Sequence, residues 1–429
     1  MSHPSQSPRA FLRALFDAAV TAADPALTVA QHLPAPPKGR TIVVGAGKAS
    51  AAMAAALEQA WAKVTDQPLR GLVATRYGYG AACRSIEIVE AAHPVPDAAG
   101  EAAARRMLDA VRGLTPDDLV IALMSGGASA LLPLPAQGLT LADKQEVNRL
   151  LLAAGMPIHE MNVIRKHLSA IKGGRLAMAA APARVCTLVV SDIPGDHPAL
   201  VGSGPTIADA HGPAEARAIL ARYRLTLPPA AAAWIAGDAC AAPHPDDPAF
   251  AGNSVRLIAS AALSLRAAAD LALSQGVAAH ILSDAIEGEA RDAGIVHAAL
   301  AREVASRNQP FRRPALLLSG GETTVTMDAK GAGKGGRNAE FLLSFALKIA
   351  GLDGIHALAA DTDGIDGSEA NAGAFADGGS DARMRQAGVD PQAALRAHDA
   401  WTAFNAAGDL LVTGPTRTNV NDFRAILVV

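Results

Sequence analysis

Apolar residues along this chain gather in short runs that stop abruptly at loops of Gly, Ser, Asp or Lys. Five such junctions stand out: TIVVGAGKAS (41–50), LVIALMSGGAS (119–129), TLVVSDIPGD (187–196), PALLLSGGETT (314–324) and HALAADTDGIDG (356–367). Short apolar runs bounded by turn residues read as buried strands. Further strands are predicted at 71–75, 86–91, 254–260 and 277–284. Helical patterning occupies the stretches between them: 8–31, an Ala-rich segment reaching about Trp61, then 98–113, 140–154, 158–172, 261–275 and 287–306. Strands alternating with helices predict an α/β fold built on a parallel sheet with helices on both faces. In open sheets of this kind ligands sit just beyond the carboxyl ends of the strands. The five loops fall there.

A chain of 429 residues exceeds one ordinary core, so two domains are expected. The Pro-, Ala- and Asp-rich passage within 225–250 marks the boundary, giving domains 1–235 and 236–429. Half the residues are hydrophobic and 18% are charged, a balance that excludes general disorder. Aromatic residues make up only 3% and the net charge is −3. Neither stacking on single strands nor a basic field for nucleic acid is therefore expected. No run of about 18 uncharged apolar residues predicts a membrane span. Arg13 and Asp17 interrupt the N-terminal apolar stretch, which reads as an amphipathic helix rather than a signal peptide. Cys83, Cys186 and Cys240 share no metal-ligand spacing and read as buried thiols of a reducing compartment. The expectation is a cytoplasmic protein.

The loops carry the candidate chemistry. Gly45 and Gly47, with Lys48 at a helix start, form half of a dinucleotide fingerprint. Ser50 holds the third glycine position and Arg76 stands where a ribose-binding acid belongs, so a phosphate or carboxylate suits this loop better; a plain tight turn is the other reading. Ser125, Gly126, Gly127 and Ser129 form a loop whose small residues let backbone amides approach a phosphate, helped by the positive end of a following helix. Asp192 is placed to bind Mg²⁺ or to take a proton from a substrate hydroxyl, or else to cap its turn. Gly202-Ser203-Gly204 reads as a further anion cradle. Lys330, Gly335, Arg337 and Asn338 belong to a glycine-dense cationic loop, in which the Arg337 fork suits carboxylate or phosphate. Asp361, Asp363 and Asp366 resemble part of a calcium loop, but Ala372 replaces its closing Glu, so Mg²⁺ beside a nucleotide fits better. His93, His167 and His197 lie near the loops and could help bind substrate; the other reading is an ordinary hydrogen-bonded histidine.

Taken together, GAGKAS, HPVPD, SGGASALL, NVIRKHLSAIKGGRLA, SDIPGDHPALVGSGPT, LSGGETTVT, GKGGRNAEF, AADTDGIDG and GPTRTNVND resemble the class II glycerate kinase (glycerate 2-kinase) family from about residue 40 to the end. The resemblance implies an N-terminal Rossmann-like domain, a C-terminal α/β domain of the MOFRL type, and an active site in the cleft between them. It implies ATP-dependent phosphorylation of D-glycerate, usually to 2-phosphoglycerate, with Mg²⁺; a homodimer is compatible with it. Lys48 and Arg337 are then expected to bind the glycerate carboxylate and the transferring phosphoryl group, and Asp192 to act as base. Asp361 and Asp363 are expected to hold Mg²⁺, with Asp192 and Asp361 able to exchange roles. Gly45, Gly47, Ser125, Gly126, Gly127, Ser129, Gly320, Gly321, Glu322, Gly335 and Asn338 are the expected nucleotide-binding residues. An NAD(P)H-dependent hydroxypyruvate reductase and a non-enzymatic phosphosugar sensor are the alternatives.

Overall fold

The first helical stretch does not run unbroken from 8 to 31. Proline disfavours helical geometry in the residue before it. A helix Pro8–Ala22 accordingly ends short of Pro25, where a second helix, Pro25–Gln31, begins. The break also divides the molecule. In the computed structural model, which describes residues 7–193, 195–327 and 333–429, the residues through Asp24 group with Ala259–Val429 in one compact unit, and Pro25–Ile258 form the other. This differs from a division at 235/236 in two places. Helix Pro8–Ala22 folds with the C-terminal unit, because Leu12, Leu15 and Phe16 share a core with Leu265, Leu316 and Phe423. The strand Ser254–Ala259 completes the N-terminal sheet.

The N-terminal unit contains β1 (Thr41–Ala46), β2 (Leu69–Arg76), β3 (Ile86–Ala91), β4 (Leu119–Met124), β5 (Arg184–Val190) and β6 (Ser254–Ala259). Their order is β3-β2-β1-β4-β5-β6, and the pairs from β3 through β5 are parallel. The order reverses between β1 and β4, the place where such sheets open a ligand crevice. Every residue of β1 and β4 is buried, as expected of central strands covered on both faces. Helices Leu141–Ala153, Ile158–His167, Pro213–Arg222 and Pro229–Ala236 build a separate core around Leu151, Met161, Ile164 and Ile219. The helix expected to reach 172 stops at His167.

The C-terminal unit contains β7 (Ala278–Ser283), β8 (Gly288–Glu289), β9 (Ala315–Gly321), β10 (Thr323–Thr324), β11 (Ile355–Asp361), β12 (Gly373–Asp377), β13 (Leu410–Leu411) and β14 (Asp422–Val428). The order of its main sheet is β13-β12-β11-β14-β9-β7. Only β7 and β9 pair in parallel; the other neighbours are antiparallel. The strand–helix alternation thus misleads here. No helix connects β11 to β12, and a direct connection reaches only a reversed neighbour. The final strand then inserts between β9 and β11. Helices Pro8–Ala22 and Ala261–Ser274 cover one face, and Ala290–Arg307 and Arg337–Ile349 the other. No helix among the described residues is long and apolar enough to cross a membrane.

Candidate active site

Three of the expected loops leave the carboxyl edge of the N-terminal sheet side by side, after β1, β4 and β5. The first two are joined by hydrogen bonds. Lys48 N–H donates to the Gly126 carbonyl (2.8 Å), Ala49 N–H to Ser125 Oγ (3.0 Å) and Ser50 Oγ–H to the Leu123 carbonyl (3.0 Å). Ser125 is buried, and its hydroxyl serves the loop junction rather than a ligand. The third loop closes on the same spot. A Cβ added at Gly126 would stand 1.7 Å from Asp192 Oδ2, so glycine is required for that carboxylate to lie against the backbone. One at Gly127 would stand 3.0 Å from His93 Nε2 and 3.5 Å from Lys48 Cγ. The fold therefore gathers Lys48, His93, Asp192, Gly126 and Gly127. The helix expected to lend its positive end is only the four-residue Ala128–Leu131, too short for an appreciable macrodipole. Pro194, in the third loop, lies outside the described residues.

Of the two readings of His93, substrate contact or ordinary histidine, its place beside Gly127 and Lys48 favours the first. Burial, then the charges of Lys48 and Arg76, push its pKa down to about 4, so it is neutral near pH 7. At the expected cradle of 202–204, Gly204 N–H donates to the Val201 carbonyl (3.0 Å) and Ser203 Oγ–H to Asn162 Oδ1 (3.0 Å), so these two donors serve the protein. Ser129 is likewise engaged: Lys172 Nζ donates to its carbonyl (2.6 Å) and its Oγ (2.7 Å). Lys172 escaped the sequence reading because a lone lysine in a predicted amphipathic helix carries no signal.

The C-terminal unit holds a second charged array. Arg337 opens the helix Arg337–Ile349 and spreads its fork over three carboxylates: Nε to Asp422 Oδ1 (2.7 Å), Nη2 to Asp361 Oδ2 (2.8 Å) and Nη1 to Glu322 Oε1 (3.3 Å). Burial would weaken its charge, but Asp422, Asp361 and Glu322 together outweigh burial and hold the guanidinium more firmly protonated than usual. Asn338 is buried; its amide N–H₂ donates to Asp422 Oδ1 (2.8 Å). Asp366 accepts from Asn338 N–H (3.0 Å) and Ala339 N–H (2.8 Å), capping the helix. Burial pushes its pKa up to about 6 against the pull of those two donors. Asp422 is also paired with Arg424; the sequence carried it only as the last residue of the GPTRTNVND motif, with no role of its own. Gly320 and Gly321 lie inside β9, paired with Phe423 and Asp422. A Cβ on Gly321 would stand 2.2 Å from the Ile286 nitrogen, so that glycine answers to chain packing. Gly335 adjoins the same turn, its N–H 3.5 Å from Ser368 Oγ. Lys330 lies outside the described residues.

Asp361 and Asp363 do cap turns, accepting from Asp363 N–H (3.0 Å) and Ile365 N–H (2.9 Å). They are also crowded. Burial, then the charge of Asp363, raise the proton affinity of Asp361 well above normal, with Asp422 adding to this and Arg337 opposing it. A carboxylate pair under that strain offers hard oxygen donors, and Mg²⁺ commonly takes one or two carboxylates with substrate phosphates completing its shell. The pair fits that ion. Among the described residues no group of three or more His, Cys, Asp or Glu side chains is arranged to hold a metal by itself.

Comparison with known proteins gives the family. Residues 11–236 match a family model described as a domain of unknown function (DUF4147), and residues 315–422 match the MOFRL family. A glycerate 2-kinase of Pyrococcus horikoshii is 38% identical over 91% of this chain and 88% of its own. The chain belongs to the class II glycerate kinase (glycerate 2-kinase) family. Membership in the glycerate 2-kinase family makes it one of a group of transferases. The crystal structure of a glycerate kinase from Thermotoga maritima superposes with a TM-score of 0.89 at 35% identity, covering 99% of this chain and 100% of that one. A protein of Agrobacterium vitis, 53% identical over 98% of this chain and 95% of its own, is provisionally named a hydroxypyruvate reductase.

Proposed function

We propose that the protein transfers the terminal phosphoryl group of ATP to the 2-hydroxyl of D-glycerate, giving 2-phosphoglycerate and ADP. The observation that carries this reading is the meeting of Lys48, Asp192 and the amides of Gly126 and Gly127 at the edge between β1 and β4. Phosphoryl transfer asks a protein mainly for positioning and for neutralisation of the charge spread over the phosphoryl oxygens. The two glycine amides and Lys48 answer that need. Asp192 takes the proton of the 2-hydroxyl as its oxygen bonds to phosphorus, and the bond from phosphorus to the bridging oxygen of ADP breaks. His93, being neutral, is free to hydrogen-bond a substrate hydroxyl without competing for the anion. Arg337 contributes a fixed positive charge; its longest contact, to half-exposed Glu322, is the one an incoming carboxylate or phosphoryl oxygen would replace. Asp361 and Asp363 would hold Mg²⁺, whose chemistry is to neutralise phosphate oxygens.

The reductase reading lacks support in the first loop. Ser50, buried and bonded to Leu123, occupies the third fingerprint position. Arg76 ends β2, where an acid would hold the ribose. The test is direct. Purified protein is given ATP, Mg²⁺ and D-glycerate and the product is followed by phosphorus NMR; a second sample receives NAD(P)H and hydroxypyruvate. A 2-phosphoglycerate resonance is expected in the first. Loss of NAD(P)H in the second, with no ATP-dependent product in the first, would overturn the proposal.

A further inference from the structure

Lys172 is buried, yet the charges that bear on it are those of Lys144 and Arg165 rather than a carboxylate's. Burial, then those two cations, weaken its hold on its proton. A lysine placed at that cost needs a reason. Its bonds give one. Lys172 Nζ donates to both the carbonyl and the hydroxyl of Ser129. The hydroxyls of Ser129 and Ser203 are 3.1 Å apart. Ser203 Oγ–H in turn donates to Asn162 Oδ1 (3.0 Å), an oxygen that can only accept. Ser203 has one proton and gives it to Asn162, so Ser129 must be the donor between the two serines. The direction of the whole chain follows: Lys172 to Ser129, Ser129 to Ser203, Ser203 to Asn162. Ser129 has thus spent its proton on the protein and has none to give a phosphate.

The backbone locks both ends of this relay. Ser203 adopts φ 61°, flanked by Gly202 at 61° and Gly204 at 60°. A left-handed serine is uncommon and persists where its surroundings hold it. Here the carbonyls of Ser203, Gly204 and Pro205 accept from the N–H groups of Gly173, Gly174 and Leu176, the residues directly after Lys172. On the other side, a Cβ at Gly202 would stand 2.7 Å from that of Ala128, pressing the turn against the loop that carries Ser129.

We propose that Lys172 is a positioning residue for phosphoryl transfer: through Ser129, and with Ser203 and Asn162 behind it, it fixes the 125–129 loop so that the amides of Gly126 and Gly127 stay turned toward the anion. This rests on the reading that the loop receives a phosphoryl group. It separates two duties that the sequence merges in one SGGAS motif, with the glycines meeting the ligand and the last serine anchoring the loop.

The test uses the full chain and the variants Lys172→Met, Lys172→Arg and Ser203→Ala, with circular dichroism as the check on folding. The loss of both donations to Ser129 means that Lys172→Met should lower kcat roughly 10- to 100-fold while KM for D-glycerate stays within about twofold. Lys172→Arg, which keeps the N–H donors, should recover part of the loss. Ser203→Ala leaves Lys172 in place and cuts the relay, so it should lower kcat by a smaller factor; it decides the matter should Lys172→Met fail to fold. Folded Lys172→Met with wild-type kcat, or Ser203→Ala without effect, overturns the proposal. Titration with inorganic phosphate keeps the relay separate from the kinase reading. If the wild type shows no ATP-dependent turnover, that reading fails. Weaker phosphate binding by the variants then still supports the relay, whereas equal binding, or none by the wild type, overturns it.

Discussion

At Gly126 a single missing methyl decides whether three loops can meet. With Asp192 Oδ2 only 1.7 Å from the position a Cβ would take, Gly126→Ala must displace either the carboxylate or the loop. A displacement of about 1 Å at a reacting centre can cost on the order of 10²-fold in rate. Steady-state assay of Gly126→Ala is expected to show a loss of that order in kcat. Lys48→Ala removes the charge we propose meets the anion and should cost roughly 10²–10³ in turnover, the scale for one transition-state donor. Wild-type turnover by Lys48→Ala would remove Lys48 from the mechanism. Lys48, Asp192 and the glycines were legible in the sequence because each follows a strand end, and strand ends converge in a parallel sheet. Lys172 was not. Its role depends on what lies across from it, and spacing along the chain does not contain that.

Helix ends carry the next level of organisation. Asp366 lies far from Arg337–Ile349 in sequence but accepts the first free N–H groups of that helix. Loss of a capping side chain costs about 0.5–2 kcal/mol. Asp366→Ala should therefore lower the urea midpoint of the transition that reports on the C-terminal unit, with an unchanged slope. An unaltered midpoint would show that the cap contributes nothing. Arg337 stands at the start of the same helix, so the variant should also loosen the Arg337 fork. The sequence showed only a glycine-dense cationic loop at this helix start. It did not show that an Asp-rich loop some thirty residues on supplies the cap. For the same reason Asp366 read as one more metal-ligand candidate. Conversely, the helix predicted over 158–172 ends at His167 because the next residues pair with the 134–136 segment: the Leu168 carbonyl accepts from Ala136 N–H and Ala170 N–H donates to the Leu134 carbonyl, a tertiary demand that outweighs local propensity.

Across the molecule, buried histidines set a dependence on pH. His297 lies between the Ala293 carbonyl (2.7 Å) and Ser319 Oγ (2.9 Å), and burial foremost lowers its pKa to about 4. The unfolded chain binds a proton at this site near pH 6.5, the folded one only near pH 4. Between those values the unfolded state holds more protons, so stability falls as pH drops through that window and is fully retained above it. Asp366, raised to about 6, acts with the opposite sign, so the histidine is best isolated by difference. The stability gap between the wild type and His297→Gln should narrow as pH falls from about 6.5 to about 4. A gap that stays constant in urea titrations at those two values would refute the assignment.

The sequence by itself determined the family, the α/β character, and the strand-end loops at which chemistry was to be sought. Those features are local: an apolar run followed by glycines is visible wherever the chain is read. Tertiary structure decided the rest. It sent the first helix to the far end of the chain, because its apolar face matches the C-terminal sheet, and it turned most of that sheet antiparallel. It also sorted residues that look alike in sequence into different duties. Asp192 lies against the Gly126 backbone, Asp366 caps a helix, and Asp422 binds two arginines. A carboxylate's task follows from the donors and charges folded against it, and those come from segments tens to hundreds of residues away.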